Sequence, residues 1–303
     1  MIIHSFALSL LLGFELSYYL LIVQTGIAAH YNSDLITLFP MFIGGVAGTI
    51  LGGVAWGSIQ NPIHKILIAL SLQLGLSFLY PNYTFFTLML LGLAVGVMAP
   101  LGIYLFKAKQ QKELLFALAI AYSVGTFLFT SDVHNRIAIA ASLSAVALVS
   151  AFVLRGYKVA LDAKEHSYPF AAYLPLMLWI FLDSNLFETL SRHENINIWS
   201  NCTFTIIAFH LLGLVAAYVI KASKLKKHLF IALLFFGSYT LSYLEASFML
   251  SMLYPFTISY YNVVVFTVLS KEQNIAKLSF MMVFVGWIAS GAGLMLALSK
   301  LLH

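Results

Sequence analysis

Charge is scarce in this sequence. Asp, Glu, Lys and Arg together make up 9% of its 303 residues, whereas an ordinary soluble domain carries about a quarter. Hydrophobic residues make up 61% of the chain and its mean hydropathy is +0.94. That balance excludes a chain whose apolar side chains all hide in one core surrounded by water. Cysteine is nearly missing as well: Cys202 stands alone, so no internal disulfide can form. No GxxxxGK[ST] occurs, which leaves no P-loop for direct ATP hydrolysis. The period-two alternation of barrel strands is absent too. The loops are short and leave no room for a soluble catalytic domain.

What the chain does have is long apolar runs. Crossing the hydrocarbon takes about 20 apolar residues of helix, and in lipid the backbone must satisfy itself within helices or a closed barrel. The runs predict membrane helices at Ile2–Ala28, Leu35–Gly57, Ile63–Leu79, Thr84–Phe106, Glu113–Thr130 and Ile137–Leu154. They resume at Pro169–Leu190, Cys202–Ile220, His228–Tyr243, Ser247–Leu269 and Ala276–Leu298. The fold class expected is therefore all-α: a polytopic membrane protein with six plus five transmembrane helices. Met1–Ala29 lacks a basic leader and a clear cleavage site, so it reads as the first membrane helix.

Lysine and arginine fix an orientation, because cytoplasmic loops are enriched in them. With the N-terminus inside, all sixteen except Arg136, Arg192 and Lys300 fall in cytoplasmic loops. Adding or omitting one early span would destroy that bias. The net charge of +5 is thus read as membrane topology rather than as a nucleic-acid site. The longest polar connection, Arg155–Tyr168, divides an N-terminal six-helix bundle (1–156) from a C-terminal bundle of about five helices (169–303), with residues 157–168 as a cytoplasmic linker.

Against this background the acids stand out. Glu15 lies in LGFELSYYLLI and Asp183 in IFLDSNLF, both inside apolar spans, while Glu188 and Glu245 fall nearer the ends of theirs. Every Lys and Arg is in a loop or at a helix end. Ionisable residues within membrane spans face a cavity or one another and mark ion or substrate paths. A poorly solvated carboxylate with no cation beside it also becomes a competent proton carrier. If the two halves are repeats, Glu15 and Asp183 face each other across a central space. Polar aromatics and amides accompany them: Tyr18, Tyr19 and Gln24 near Glu15; Asn185 near Asp183; Tyr254, Tyr260, Tyr261 and Asn262 around Pro255. Tyr254 and Tyr261 are one heptad apart and can line one face of their helix. His210 reads as a structural hydrogen-bonding group, and Met249 and Met252 as lipid-facing residues rather than ligands of a soft metal.

Glycine marks close packing. GGVAGTILGG, Gly44–Gly53, places a small-residue stripe on the second span; Gly92 and Gly96 precede Pro100 in the fourth; and Gly286, Gly291 and Gly293 mark the last. Such stripes let helices approach closely or slide.

In order, these features resemble the major facilitator superfamily. GGVAGTILGGVAWGSIQNPIHKILI is similar to its second helix and cytoplasmic signature. LLGLAVGVMAPLGIYLF and KELLFALAIAYSVGTFLF resemble its fourth and fifth helices. YPFTISYYNVVVFTVL and FMMVFVGWIASGAG resemble its tenth and eleventh. The likeness covers nearly the whole chain as a pattern. It departs in the signature loop, where Gly57, Ser58, Asn61 and Lys65 replace an acid and several bases, and in having eleven helices rather than twelve. The resemblance implies two helical bundles rocking around a central site lined chiefly by helices one, four, seven and ten.

The expectation is a proton-coupled secondary transporter, not an enzyme, for a small cationic or zwitterionic solute or a metal cation. Its substrate and proton site would comprise Glu15, Tyr18, Tyr19, Gln24, Asp183, Asn185, Tyr254, Tyr261 and Asn262. No catalytic or resident metal site, no cofactor and no nucleic-acid partner is called for; the partner is the lipid bilayer and the protein is a monomer. A bacterial inner membrane with a cytoplasmic N-terminus is the expected location. Two alternatives stand beside this one. An integral membrane enzyme or assembly factor would show a dense His, Asp or Cys cluster, where the sequence has only scattered His30, His134 and His193. A ten-helix drug/metabolite-type carrier would place its midpoint near the fifth helix.

Overall fold

The computed structural model describes residues 2–31, 34–57, 59, 61–106, 111–156, 168–192, 198–272 and 274–301. Of the expectations above, Ser58 of the signature loop, residues 157–167 of the linker, the loop lysines Lys107 and Lys109, and His193 lie outside them.

Polar residues punctuate the apolar runs and decide where helices begin. Asp34 accepts from the amides of Ile36 and Thr37 and opens α2, Leu35–Gly53. Asn61, followed by Pro62, caps α3, Pro62–Ser77, and Thr84 with Thr87 forms a capping box at the start of α4, Phe85–Leu105. Before these comes α1, Ile2–Tyr18, continued by a π-helical stretch Tyr19–Ile27 and a last turn Ala28–His30. Then follow α5 (Gln111–Leu128), α6 (Val133–Val153), α7 (Leu174–Arg192), α8 (Thr203–Val219), α9 (Lys224–Tyr243) and α10 (Ser247–Leu269). The last rod is α11 (Ile275–Met282), a π-helical stretch Val283–Ile288, and α12 (Ala289–Leu301).

Helix therefore occupies each of the apolar stretches read from the sequence, and the described residues contain only an isolated bridge, Trp56 to Ile59, in place of strands. Among the described residues seven helices are long and apolar enough to cross a bilayer, including Ile3–Ile27, Phe85–Leu105 and Ile275–Ser299; Pro62–Ser77 and Thr203–Val219 are apolar but shorter. Large apolar side chains such as Phe39, Phe86, Phe204 and Phe236 stand more than half exposed, as suits a surface facing acyl chains.

The chain gathers into two units, Met1–Ser167 with Leu269–Val283, and Tyr168–Val268 with Phe284–His303. The sequence division put everything after the linker in the second half, whereas α11 groups with the first unit. The reason is local: Gly53 of α2 has no Cβ, and Ser279 and Ala276 of α11 come up against it.

Within the first unit, α2 and α4 cross backbone to backbone. A Cβ added at Gly44 would meet the carbonyl of Met89, one at Gly48 that of Leu93, one at Gly92 that of Met41, and one at Gly96 that of Gly45. The Thr49 hydroxyl donates to the carbonyls of Gly45 (2.8 Å) and Gly96 (3.2 Å), joining the two helices at the crossing. α1 lies against α5 and α6. The loop after α2 is fastened by the Trp56 indole donating to the Leu51 carbonyl at 2.8 Å and by Lys65, which donates to the Val54 carbonyl and lies over the Trp56 ring.

In the second unit α12 packs on α7, with Gly293 against the Phe181 carbonyl and Ser184. Gly213 of α8 meets Phe256 and Ser259 of α10. Trp179 of α7 stacks on Phe235 of α9 at 6.0 Å and donates from its indole to Nδ1 of His228 at 3.1 Å.

Candidate functional site

Each unit sets one of the acids singled out in the sequence among polar side chains, Glu15 buried and Asp183 half-buried. In the first, Glu15 and Tyr18 are three residues apart on α1, and Gln73 and Ser77 four apart on α3, so each pair shares a helix face. The two faces meet. Gln73 Nε2 donates to Glu15 Oε2 at 2.9 Å and to the Ser144 hydroxyl of α6 at 3.2 Å. Ser77 donates to the Tyr18 hydroxyl at 3.2 Å and to the Gln73 carbonyl at 2.8 Å, with Ser144 Oγ 3.5 Å away. The cluster is dry: Glu15 is 6% exposed and Tyr18, Gln73, Ser77 and Ser144 are all at 0%. Two of its oxygens, Glu15 Oε1 and Gln73 Oε1, have no hydrogen-bond partner among the described residues.

The Arg136 guanidinium holds the far end of α1. It donates to the Leu21 carbonyl at 2.8 Å, Phe129 at 3.1 Å and Ser131 at 3.3 Å. Gly26 leaves the room this needs, since a Cβ there would meet the Leu21 carbonyl, Arg136 Nη1 and the Tyr80 hydroxyl within 3 Å.

In the second unit, α10 presents Tyr254 and Tyr261 on one face, and both phenols donate to Asp183 of α7: Tyr254 to Oδ1 at 2.8 Å and Tyr261 to Oδ2 at 2.5 Å. Two residues on, Asn185 accepts at Oδ1 from Tyr239 of α9 at 3.0 Å and donates to the Gly293 carbonyl of α12 at 3.3 Å. Tyr239 also donates to the Leu182 carbonyl at 2.8 Å. Three helices therefore converge on one turn of α7. Among the described residues no Lys or Arg pairs with Glu15 or Asp183; the ion pairs are Glu188 with Arg192 and Glu272 with Lys277.

The structure thus joins Glu15 with Tyr18 through one set of neighbours, and Asp183, Asn185, Tyr254 and Tyr261 through another. Tyr19 is half-buried at the start of the π-helical stretch. Gln24 is half-buried nine residues beyond Glu15, about 13 Å along the axis. Asn262 is half-buried and follows Tyr261, turned about 100° around the helix. Sequence reasoning passed over Gln73, Ser77, Ser144 and Tyr239. The one available signal was Gln73, an amide in the middle of the apolar run IALSLQLGLS. His210 is buried and its Nδ1 lies 2.7 Å from the Ser259 hydroxyl. Met249 is 61% exposed. Among the described residues no group of three or more His, Cys, Asp or Glu is placed to hold a metal ion.

Compared with protein-family models and with curated proteins, the chain finds no match in either.

Proposed function

We propose that this protein is a secondary active transporter of the major facilitator type, built of six plus five membrane helices, that moves a small cationic or zwitterionic solute or a metal cation by proton-coupled alternating access. The observation that carries this reading is a pair of carboxylates within apolar helices, Glu15 buried in one unit and Asp183 half-buried in the other, each tied to neighbouring helices by neutral polar groups and, among the described residues, neither paired with Lys or Arg. A charge held in an apolar setting without a fixed counter-ion is costly to keep. It is repaid where the counter-ion is mobile, either a proton or a cationic cargo. Tyr254 and Tyr261 add aromatic surface beside Asp183, which favours an organic cation over a phosphate or carboxylate. The setting proposed is a bacterial inner membrane, with the N-terminus in the cytoplasm.

Uptake into proteoliposomes under an imposed pH gradient, across a panel of organic cations, amino acids and metal ions, tests this. Gradient-driven accumulation of at least one of them, with the pH dependence lost in Glu15→Gln, is the expected result. Normal transport by Glu15→Gln with unchanged pH dependence, or no gradient-driven uptake across the panel, overturns it.

A further inference from the structure

The two acids are satisfied differently. A carboxylate only accepts hydrogen bonds, whereas its protonated form also donates one. Asp183 has a phenol on each oxygen, Tyr254 on Oδ1 and Tyr261 on Oδ2, the short charge-assisted geometry that suits an anion. Among the described residues Glu15 has a single donor, the Gln73 amide on Oε2, while its Oε1 and the Gln73 Oε1 are both buried acceptors with nothing to accept. One proton supplies what both lack. Bound to Glu15 Oε1, it forms an O–H bond, cancels the charge and makes that oxygen a hydrogen-bond donor, the kind of group the Gln73 amide oxygen lacks; on release that O–H bond breaks and the carboxylate charge returns.

We propose that the Glu15–Gln73 pair is the protein's proton-binding site and that Asp183 stays an anion, so that proton and cationic solute are held by different acids. The solute half rests on the transporter reading above; the proton half stands on hydrogen-bond supply alone.

The surroundings leave Glu15 as the group that titrates. Tyr18 on its own helix is neutral, and burial pushes the Tyr83 phenol, in the loop before α4, above its ordinary value. On α3, His64 and Lys65 lie about 12 Å along the axis from Gln73, and on α6 Arg136 is as far from Ser144, with His134 further still. α5 brings Lys112 and Glu113 beside Ser9, whose hydroxyl donates to the Glu113 carbonyl, about 9 Å along α1 from Glu15. Tyr122 follows Ala121, whose carbonyl accepts from the Ser17 hydroxyl.

Infrared difference spectroscopy of the full chain in phosphatidylcholine vesicles tests the assignment. The pH is stepped from alkaline to about 6, above the range where exposed carboxylates take up protons. A carboxylic-acid carbonyl band should appear in wild type, vanish in Glu15→Gln, persist in Asp183→Asn, and shift to higher frequency in Gln73→Met, where the carbonyl loses its N–H donor. Absence of the band in wild type, its survival in Glu15→Gln or its loss in Asp183→Asn overturns the proposal. So does a band that fades when sodium replaces choline at constant pH, which would make the ion sodium. Because the band does not depend on transport, an intact band with no uptake of any panel member sinks the transporter reading while leaving the proton site standing.

Discussion

Asp183 is matched oxygen for oxygen by two phenols seven residues apart on α10, so each hydroxyl has a defined task. Tyr261→Phe removes one donor and takes from Oδ2 its phenol partner in a half-buried setting. The expected loss is about 1.5–3 kcal/mol, read as thermal unfolding in detergent, against a change within about 0.5 kcal/mol for Tyr243→Phe, a residue 88% exposed. Asp34, outside the membrane helices, gives a pH signature of its own. The Thr37 hydroxyl at 2.5 Å and the amides of Ile36 and Thr37 hold its carboxyl below the ordinary value. A depressed folded-state pKa stabilises above the unfolded value, about 3.9, and that stabilisation is lost as pH falls through the folded value. Asp34→Ala should therefore be less stable than wild type at neutral pH, with the gap closing in acid; a gap constant down to the acid limb would refute the cap. At this scale the acids were legible because a charge in an apolar run is conspicuous. Gln73, Ser144 and Tyr239 were not, because the sequence does not say which face of a helix meets which neighbour.

The helix crossing of α2 and α4 is set by what is absent from its glycines. Gly48→Ala drives a methyl into the Leu93 carbonyl, a backbone atom that cannot rotate away. Overpacking of this kind costs about 1–3 kcal/mol. Gly75 of α3 is the control: it is exposed and a Cβ there meets nothing within 4 Å. Gly75→Ala should raise stability by about 0.5–1 kcal/mol through backbone entropy. Equal effects at the two positions in a thermal-unfolding comparison would show that the stripe does not set the crossing. The stripe itself was plain in GGVAGTILGG, and so were its counterparts Gly92 and Gly96; their pairing was not. The junction between α9 and α10 was harder to read for a physical reason. There the amide of Ala246 donates to the Leu241 carbonyl and that of Glu245 to Ser242, a Schellman motif whose left-handed position, φ 53°, is filled by Glu245 rather than glycine.

For the molecule as a whole, hydropathy alone located the helical stretches, since a backbone in lipid has few options. The membership of α11 in the first unit was hidden, because it depends on Gly53 meeting Ser279 across some 220 residues of chain. Its rod changes units at Val283, where its π-helical stretch begins. Of the helices outside the seven long apolar spans, α3 decides the most of the topology. Its 16 residues span about 24 Å, short of the roughly 30 Å hydrocarbon core. Phe78 and Leu79, 64% and 42% exposed at its end, extend the apolar surface, and a modest thinning of the bilayer covers the remainder. Charge argues that it crosses: omitting this one passage would turn every later loop over and move the lysines of 221–227 outside. In a Cys202→Ser background, single cysteines replacing His64 and Asn82, both exposed at opposite ends of the helix, should react with a membrane-impermeant maleimide from opposite sides: position 82 in intact cells, position 64 only in inverted vesicles. Labelling of both from one side would remove α3 from the spanning set and, with it, the proposed six-plus-five arrangement and the proposed cytoplasmic placement of the lysines.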